Sequence, residues 1–351
     1  MNLGPSRTVS EDPAAAAMPR SRQLVATTLT PHFREAVEIV EEDVGEPGPG
    51  EILIRNRVAG VNASDVNVAA GRYNPGEAPP LAVGFEAAGE VLAAGEGVEL
   101  AVGDLVATSS VGGGFREIQR VPARLAIPVP EASPEILSIL VSGLTASIAL
   151  AEEGDLKEGE TVLVTAAAGG TGQYAVQLAK RAGCRVFGTC STRDKADLLR
   201  QLGCDRPIDY TTEDVRAVLK AEAPGGLDVV YESVGGALFD TALRHLATRG
   251  RLLSIGFIGE YVDGAERTTD VRVYHRLLAK SASIRGFFLP HYSRQFREHM
   301  ATLFGLVRAG DLHVAVDPTP FRGLASVVDA VEHLHSGRSR GKVVVTLGDD
   351  A

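Results

Sequence analysis

The sequence predicts an α/β protein in which a mostly β region is followed by a parallel sheet of doubly wound type. Between residues 23 and 121, short apolar runs are separated by turn signals at regular intervals, which is typical of a small distorted barrel. From Ser133 to about Gly286, apolar strand patterns alternate with helical patterns, which favours a parallel sheet covered by helices. Together these patterns predict two structural regions in one chain.

Composition limits the classes of function. The 351 residues are 44% hydrophobic and 23% charged, which is ordinary for a globular protein with room for two domains. A net charge of −10 argues against nucleic acid as a partner. No run of about 18 apolar residues is evident, so neither a transmembrane helix nor a membrane partner is expected. Three cysteines without metal-ligand spacing suit a reducing compartment, and we expect a cytoplasmic protein.

Residues 1–20 are expected to form a disordered tail. They contain three prolines, four consecutive alanines and few residues that could pack. An organelle transit peptide is the alternative, although Glu11 and Asp12 are atypical of one.

The first region should contain antiparallel strands and the second should alternate strands with helices. In the first region, the expected strands are Gln23 to Thr28, Phe33 to Val40, Glu51 to Ala59, Ala87 to Ala93, Leu105 to Ser109 and Phe115 to Val121. In the second, the expected strands are Thr161 to Thr165, Cys184 to Cys190, Arg206 to Tyr210, Leu227 to Glu232 and Gly250 to Gly256. The expected helices are Ser133 to Glu152, Gln173 to Arg181, Ala196 to Leu202, Thr212 to Ala221, Phe239 to Ala247, Gln295 to Ala309 and Ala325 to Ser336, followed by a strand from Lys342 to Leu347.

A glycine cluster separates the first parallel strand from the helix that follows it. Gly169, Gly170 and Gly172 allow the backbone to approach a pyrophosphate, and the helix offers free N–H groups to it. The spacing departs from G-x-G-x-x-G, so a simple tight turn is the alternative. The order strand, glycines, helix nevertheless predicts a dinucleotide site.

The end of the next strand predicts which dinucleotide is bound. NAD sites place a carboxylate about 20 residues after the glycines to bind the ribose 2′-OH. Here Ser191, Arg193 and Lys195 supply donors and positive charge, while Asp194 is interpreted as a helix cap. A 2′-phosphate would be accepted there, so NADPH is the expected cofactor.

From about Arg22 to Leu347 the chain resembles the medium-chain dehydrogenase/reductase superfamily, in its zinc-independent, quinone oxidoreductase-like branch. The matching stretches include Gly60-Val-Asn-Ala-Ser-Asp65, Gly84-Phe-Glu86, Val164 to Gln173, Asp228 to Gly236 and Gly286-Phe-Phe-Leu289. The resemblance implies a GroES-like β-barrel catalytic domain at 21–145 and 287–351. It also implies an NADP-binding Rossmann-type domain at 146–286, with the terminal strand returning to the barrel.

The resemblance also implies the cofactor contacts. Gly169, Gly170, Thr171 and Gly172 would meet the pyrophosphate, Ser191 and Lys195 the 2′-phosphate, Tyr210 the adenosine, Ser233, Ile255 and Tyr261 the nicotinamide half, and Phe287, Phe288 and Leu289 the carboxamide. Ser339 stands where the family has an asparagine. Core packing is the alternative for Ile255 and Phe288.

A zinc site is not expected. Zinc enzymes of this superfamily use a cysteine and a histidine at positions where this chain has Asn62 and Phe85. Neither an amide nor a phenyl group replaces a thiolate or an imidazole as a zinc ligand. The sequence therefore predicts that the protein has no metal site.

Without a metal, hydride addition to an enone is easier than ketone reduction, because the charge spreads into an enolate. Related enoyl reductases carry a tyrosine at the place of Tyr73, which is the candidate proton donor; a half-buried loop aromatic is the alternative. Asn62 is the candidate partner of the nicotinamide ribose or the substrate carbonyl, with an Asx-turn as the alternative. Ser64 and Asp65 are expected to cap the next helix, and Lys342 to be a solvated strand start.

The expected activity is NADPH-dependent reduction of α,β-unsaturated ketones, with 15-keto-prostaglandin-like enones implied by the resemblance. Quinone reduction is the alternative within the same chemistry. An NADPH-binding regulatory or structural protein is the alternative from another class. The expected partner is a small apolar enone or quinone, and the resemblance implies a homodimer.

Overall fold

The computed structural model describes residues 20–73, 75–264 and 273–348. The tail expected at residues 1–20 lies outside this part of the chain, except for Arg20, with which the first strand begins.

The described residues form strands and helices close to the predicted ones. The strands are β1 Arg20–Ala26, β2 Val37–Asp43, β3 Glu51–Gly60, β4 Leu81–Ala82, β5 Glu86–Ala94, β6 Leu105–Ser109, β7 Ile118–Pro122, β8 Ala126–Pro128, β9 Thr161–Val164, β10 Arg185–Cys190, β11 Arg206–Asp209, β12 Leu227–Glu232, β13 Leu246–Ser254, β14 Ser283–Gly286 and β15 Val344–Thr346. The α-helices are α1 Phe33–Ala36, α2 Asp65–Ala69, α3 Pro134–Ser138, α4 Leu144–Ile148, α5 Gly172–Arg181, α6 Arg193–Gln201, α7 Val215–Glu222, α8 Gly236–Arg244, α9 Tyr274–Lys280, α10 Phe296–Ala309 and α11 Val327–His335.

The barrel region consists of two antiparallel sheets. One has the order β2-β1-β4, and the other runs β15-β3-β5-β6-β8, with β7 also paired to β3. Strand β3 is long enough to pair with β7 through Glu51–Arg55 and with β15 through Val58–Gly60. The last strand of the chain therefore returns to the barrel, as the resemblance implied.

The second region is a six-stranded sheet in which every neighbouring pair is parallel. Its order is β11-β10-β9-β12-β13-β14, so the direction of strand addition reverses beside β9. Short apolar strands such as β9, with Val162, Leu163 and Val164 fully buried, are what a sheet covered on both faces requires. Ligands of such sheets bind outside the carboxyl ends of the strands at the reversal point.

A continuous helical stretch joins the two regions. Ser133 caps it by accepting a hydrogen bond from Ile136 N, and Pro134 occupies the first turn as predicted. The stretch Pro134–Gly154 passes through π-helical turns at Ile139–Gly143 and Ala149–Gly154. It is long and apolar enough to cross a membrane, so the expectation that no such stretch exists was wrong. Because 72% of its most apolar window is buried, it packs as a core helix.

Two predicted elements were wrong in part. The strand expected from Phe33 to Val40 begins with the helical turn α1, because Phe33 and Ala36 turn inward into the barrel core. The helix expected to reach Ala247 ends at Arg244, and Ala247 lies in β13. In the second case the strand begins earlier than its glycine pattern indicates, because Leu246 pairs with Leu227.

Candidate active site

The predicted cofactor residues follow the carboxyl ends of six parallel strands. The glycine cluster follows β9, Ser191 follows β10, Tyr210 follows β11, Ser233 follows β12, Ile255 follows β13 and Phe287 follows β14. Because the strands are parallel, these positions all lie at the same end of the sheet, the end formed by the carboxyl termini of the strands. The structure therefore brings together positions that are 118 residues apart in the sequence.

The glycine cluster forms a tight turn, and at position 172 only glycine fits. A Cβ on Gly172 would lie 2.4 Å from the carbonyl oxygen of Ala166 and 2.7 Å from Ala167 Cα, both in the backbone. Gly172 is also the first residue of α5, a ten-residue helix. The first N–H groups of a helix lack intrahelical acceptors and carry its positive dipole end. The turn thus forms a cradle that suits a pyrophosphate.

The side chain of Thr171 holds this turn in place. Its hydroxyl donates to Ser142 O at 3.1 Å and lies 2.6 Å from the hydroxyl of Tyr231. Burial raises the pKa of Tyr231, so this phenol stays protonated. Because the Thr171 hydroxyl donates to Ser142 O, the phenol donates the hydrogen bond that joins it to Thr171. The side chain of Thr171 therefore anchors the loop to the connecting helix and to β12.

The predicted 2′-phosphate residues lie together. Lys195 Nζ donates to Ser191 Oγ at 3.2 Å and to Gly337 O at 2.6 Å. Burial lowers the pKa of Lys195, which is the response of a cation that has lost water. Ser339 is half-buried two residues beyond Gly337, on the same loop. The cap of α6 is Thr192, which accepts from Lys195 N, and not Asp194 as expected.

The positions assigned to the nicotinamide half differ in exposure. Ser233 is fixed by hydrogen bonds from its N to Thr165 Oγ1 at 2.9 Å and from its Oγ to Thr165 O at 3.3 Å. Tyr261 is buried against Phe257, with ring centroids 4.7 Å apart. Ile255 is half-buried and its N donates to Glu232 O.

The residues after β14 divide into a buried part and an exposed part. Phe287 is buried and stacks on Tyr292 with centroids 4.7 Å apart, while Leu289 is half-buried. Phe288 is 43% exposed, so core packing is the wrong interpretation for it. Tyr210, at the other side of the sheet, is 50% exposed and accessible to a ligand.

Tyr73 belongs to an aromatic cluster that joins three distant segments. Its ring centroid lies 5.8 Å from that of Phe85 and 5.8 Å from that of Phe288. Burial raises the pKa of the Tyr73 phenol, and hydrogen bonds from Ser64 and Asn67 oppose this effect. The phenol therefore holds its proton at neutral pH and is chemically able to donate it.

A buried charged cluster lies beside Asn62, and the sequence analysis did not predict it. Lys342 is 1% exposed, Glu86 is fully buried and Asn62 is 8% exposed. Lys342 Nζ donates to Glu86 Oε1 at 2.5 Å and to Asn62 Oδ1 at 2.8 Å, and Asn62 Nδ2 donates to Glu86 Oε1 at 3.0 Å. The expectation of a solvated Lys342 was therefore wrong, and the side chain of Asn62 does not form an Asx-turn.

Glu86 is held from the other side as well. Its Oε2 accepts from Val141 N at 3.1 Å, in the connecting helix. A Cβ on Gly60 would lie 2.4 Å from Glu86 Oε1, so this glycine leaves room for the carboxylate. The sequence carried one signal for this ion pair. Glu86 directly precedes the apolar strand predicted from Ala87 to Ala93, and Lys342 begins the apolar strand predicted from Lys342 to Leu347.

Asp65 supports Asn62 instead of capping α2. Its Oδ2 accepts from Asn62 N at 2.7 Å, and its Oδ1 is buried without a hydrogen-bond partner. Burial raises the pKa of Asp65 to about 8, and Glu86 adds to this effect while Lys342 opposes it. Ser64 occupies the N-cap position but its side chain makes no cap hydrogen bond.

The candidate site does not coincide with a groove of about 950 Å³ at the end of the barrel, which is lined by turn residues including Pro49, Leu100 and Arg124. No predicted site residue lines that groove. Within residues 20–73, 75–264 and 273–348, no group of three or more His, Cys, Asp or Glu side chains is arranged to hold a metal ion.

Comparison with known proteins assigns both regions to described families. Residues 48–131 match the alcohol dehydrogenase GroES-like domain, and residues 170–305 match the zinc-binding dehydrogenase family. Prostaglandin reductase-3 of Mus musculus is 50% identical over 345 residues, which is 95% of this chain and 91% of that protein. A probable quinone oxidoreductase of Leishmania amazonensis is 44% identical over 93% of this chain and 98% of its own length.

Solved structures agree with the sequence matches. The crystal structure of Escherichia coli quinone oxidoreductase complexed with NADPH is similar, with a TM-score of 0.80 and 28% identity. The similarity covers 93% of this chain and 99% of that one.

Proposed function

Because the chain belongs to the quinone oxidoreductase-like branch of the medium-chain dehydrogenases/reductases, we propose that it is an NADPH-dependent reductase of α,β-unsaturated ketones. The observation that carries the proposal is the protonated Tyr73 phenol, in contact with Phe85 and Phe288 at the nicotinamide side of the sheet edge. By similarity to prostaglandin reductase-3, the substrates include 15-keto-prostaglandin-like enones.

NADPH fits the residues at the sheet edge. The backbone cradle at Gly172 suits the pyrophosphate, and the pair Ser191 and Lys195 presents a hydroxyl and an ammonium to a 2′-phosphate. The hydrogen bonds of Lys195 lead to a hydroxyl and a backbone carbonyl and not to a carboxylate, so its charge is available to an anionic ligand. The phosphorylated dinucleotide is therefore preferred.

Bound NADPH supplies a hydride for the β-carbon of the enone. The negative charge then moves to the carbonyl oxygen, where a hydrogen-bond donor stabilises it. Asn62 offers such a donor, and Tyr73 gives its proton to the α-carbon and regains one from water. The rings of Phe85 and Phe288 provide an apolar wall for the substrate.

The reaction proposed here proceeds without zinc. Asn62 already accepts a hydrogen bond from the Lys342 ammonium and donates one to Glu86. The Lys342 ammonium thus lies 2.8 Å from the Asn62 oxygen, where its positive charge would repel a metal ion. Phe85, at the other position implied by the zinc enzymes, offers no ligand atom.

We further propose the domain division 21–145 with 287–351 and 146–286, a homodimer and a cytoplasmic location. Strand β14 is an edge of the six-stranded sheet, and such edges pair across two-fold axes in many dimers. Light scattering of the purified protein measures the oligomeric state directly.

The test of the reaction is NADPH oxidation with an enone and, separately, with a quinone. We expect enone turnover in wild type and a fall of roughly 100-fold in kcat for Tyr73→Phe, with an unchanged Kd for NADPH. Tyr274→Phe, the same change at an exposed position, should leave kcat unchanged. An unchanged kcat in Tyr73→Phe removes Tyr73 from the mechanism.

The same assay separates the other functions. Quinone turnover without enone turnover supports a quinone reductase, which the similarity to the Leishmania amazonensis protein makes the second candidate. NADPH binding without either turnover supports a binding protein. Loss of activity on dialysis against a chelator, restored by zinc, would refute the metal-free mechanism.

A further inference from the structure

The loop that joins α11 to β15 lies against the predicted 2′-phosphate residues. The carbonyl oxygen of Gly337 accepts hydrogen bonds from Lys195 Nζ at 2.6 Å and from Ser191 Oγ at 3.4 Å. Lys195 Nζ also donates to Ser191 Oγ at 3.2 Å. Two of the three N–H groups of the ammonium are therefore directed at acceptors, and one of these acceptors belongs to a segment 142 residues away.

The loop contributes little to its own position. Gly337 and Gly341 have φ angles of 69° and 81°, which glycine adopts at little cost. Arg338 and Arg340 are exposed, and Arg338 Nε donates to Ser336 Oγ at 3.0 Å, inside the same loop. The place of the Gly337 carbonyl therefore depends on contacts between the loop and the rest of the protein.

Asp317 provides such a contact from a buried position. It is 7% exposed, and its Oδ1 accepts from Thr319 N at 2.9 Å. Its Oδ2 accepts from Arg340 N at 2.6 Å and lies 3.2 Å from His333 Nε2 in α11. The backbone of Asp317 is held as well, because its N donates to Lys342 O at 2.8 Å. One carboxylate thus ties the loop to α11 and to the segment before it.

The charge of Asp317 also acts on Lys195. Burial raises the pKa of Asp317, but hydrogen bonds from Arg340 N, Thr319 and His333 hold it below its ordinary value. The carboxyl group is therefore ionised at neutral pH. Burial lowers the pKa of Lys195, and the negative charge of Asp317 opposes this change. Asp317 thus favours the ammonium form of Lys195 while it anchors the loop that contacts it.

We propose that Asp317 is a positioning residue for NADPH recognition, because it holds the loop whose Gly337 carbonyl fixes the Lys195 ammonium before the 2′-phosphate arrives. This inference rests on the 2′-phosphate site proposed at Ser191 and Lys195. It adds a buried residue, outside residues 146–286, that favours NADPH over NADH.

The physical reason is the conformational freedom of a lysine side chain. A lysine that becomes ordered only when it binds an anion loses rotamer freedom, and this loss lowers the affinity. Where Ser191 Oγ and Gly337 O already hold the ammonium, the loss occurs during folding and not during binding. NADH carries no 2′-phosphate, so its affinity should not depend on the place of the ammonium.

The test measures the Kd of NADP⁺ and of NAD⁺ by calorimetry, which needs no turnover. In Asp317→Ala we expect the affinity for NADP⁺ to fall about fivefold and the affinity for NAD⁺ to change by less than about twofold. Asp311→Ala is the matched control, because Asp311 is exposed in the same C-terminal segment and pairs with Arg181. It should change neither affinity. An equal fall for both dinucleotides in Asp317→Ala overturns the proposal.

A double-mutant cycle tests whether Asp317 acts through Lys195. We expect Lys195→Ala to lower the affinity for NADP⁺ about tenfold. In that background Asp317→Ala should have no further effect, whereas independent contributions would multiply to a loss of about fiftyfold. Independent contributions overturn the proposal, and so does an unchanged NADP⁺ affinity in Lys195→Ala.

A measurement on wild type keeps the test decisive if Asp317→Ala does not fold. The amide hydrogen of Arg340 should exchange slowly with solvent in the ligand-free protein, because its hydrogen bond to Asp317 Oδ2 is formed before the cofactor binds. Hydrogen exchange followed by NMR measures this rate. Protection that appears only after NADP⁺ is added would mean that the ligand positions the loop, which overturns the proposal.

The outcomes also separate this proposal from the proposed reaction. Coupled losses of NADP⁺ affinity, found in a protein without enone turnover, support the role of Asp317 and refute the reaction. Enone turnover with independent losses supports the reaction and refutes the role of Asp317.

Discussion

The glycine turn and the charged cluster are neighbours in the structure, but they are encoded in opposite ways. The turn from Ala166 to Gly172 is contiguous, and its requirement for glycine follows from backbone crowding within seven residues. The cluster joins Asn62 to Lys342, 280 residues further along the chain. A local motif can be predicted from spacing, whereas a buried ion pair depends on how distant segments pack.

The two regions should therefore fail differently when they are mutated. A change in the turn affects the backbone and a single loop. A change in the cluster leaves a charge buried among segments from both ends of the chain. The predictions below use this difference, from the largest expected effect to the smallest.

The buried pair should show strong coupling in a double-mutant cycle. Glu86→Gln and Lys342→Met each leave one partner without its counter-charge, and we expect each to lower the free energy of unfolding by about 3–5 kcal/mol. The double variant buries no charge at this position, so it should be clearly more stable than the sum of the two single effects predicts. Urea unfolding of the four proteins gives the coupling. Additive effects would mean that the pair is not a unit.

Asp65 should make stability depend on pH. Its pKa is raised to about 8 in the folded protein from a model-peptide value near 3.8, so the folded state keeps a proton that the unfolded state loses between these values. Stability should therefore fall as the pH rises from about 4 to 8. In Asp65→Asn this contribution is absent, and the Tm relative to wild type should rise by several degrees over that range.

Asp194→Asn is the matched control, because Asp194 is exposed in the first turn of α6. Its Tm relative to wild type should be nearly constant over the same pH range. Calorimetric scans at pH 5 and pH 8 measure both differences. A constant difference for Asp65→Asn would show that the buried carboxyl does not control the pH dependence.

In the turn, Gly172→Ala should be destabilising by about 1–3 kcal/mol and should weaken NADPH binding. The added methyl group would lie 2.4 Å from the carbonyl oxygen of Ala166, which has no side-chain freedom to retreat. Gly225→Ala is the control, because its Cβ would have no atom within 4 Å. Equal Tm values for the two variants would refute the requirement for glycine.

The sequence predicted most of the fold because strands and helices depend on local periodicity. Strands β6 and β12 have the predicted bounds, and the glycine turn lies at the predicted junction of β9 and α5. The sequence did not predict the helical turn at Phe33, because the inward direction of this side chain depends on packing in the barrel. The burial of Lys342 was also not predicted, because a buried lysine and a solvated one at the start of a strand have the same sequence pattern. Tyr73 could be proposed from its motif, but its contact with Phe288 requires the folded chain.

The smallest expected effect concerns Lys195, which has one contact within its own segment and one contact with a distant segment. Its nearness to Ser191 is local and was predicted, while its hydrogen bond to Gly337 O joins segments 142 residues apart. Lys195→Ala should raise the KM for NADPH about tenfold and leave the KM for NADH nearly unchanged, because only NADPH carries the 2′-phosphate. Lys220→Ala, the same change at an exposed position of α7 outside the predicted site, should change both values little. Equal increases for the two cofactors in Lys195→Ala would mean that this lysine holds the Gly337 loop and not the phosphate.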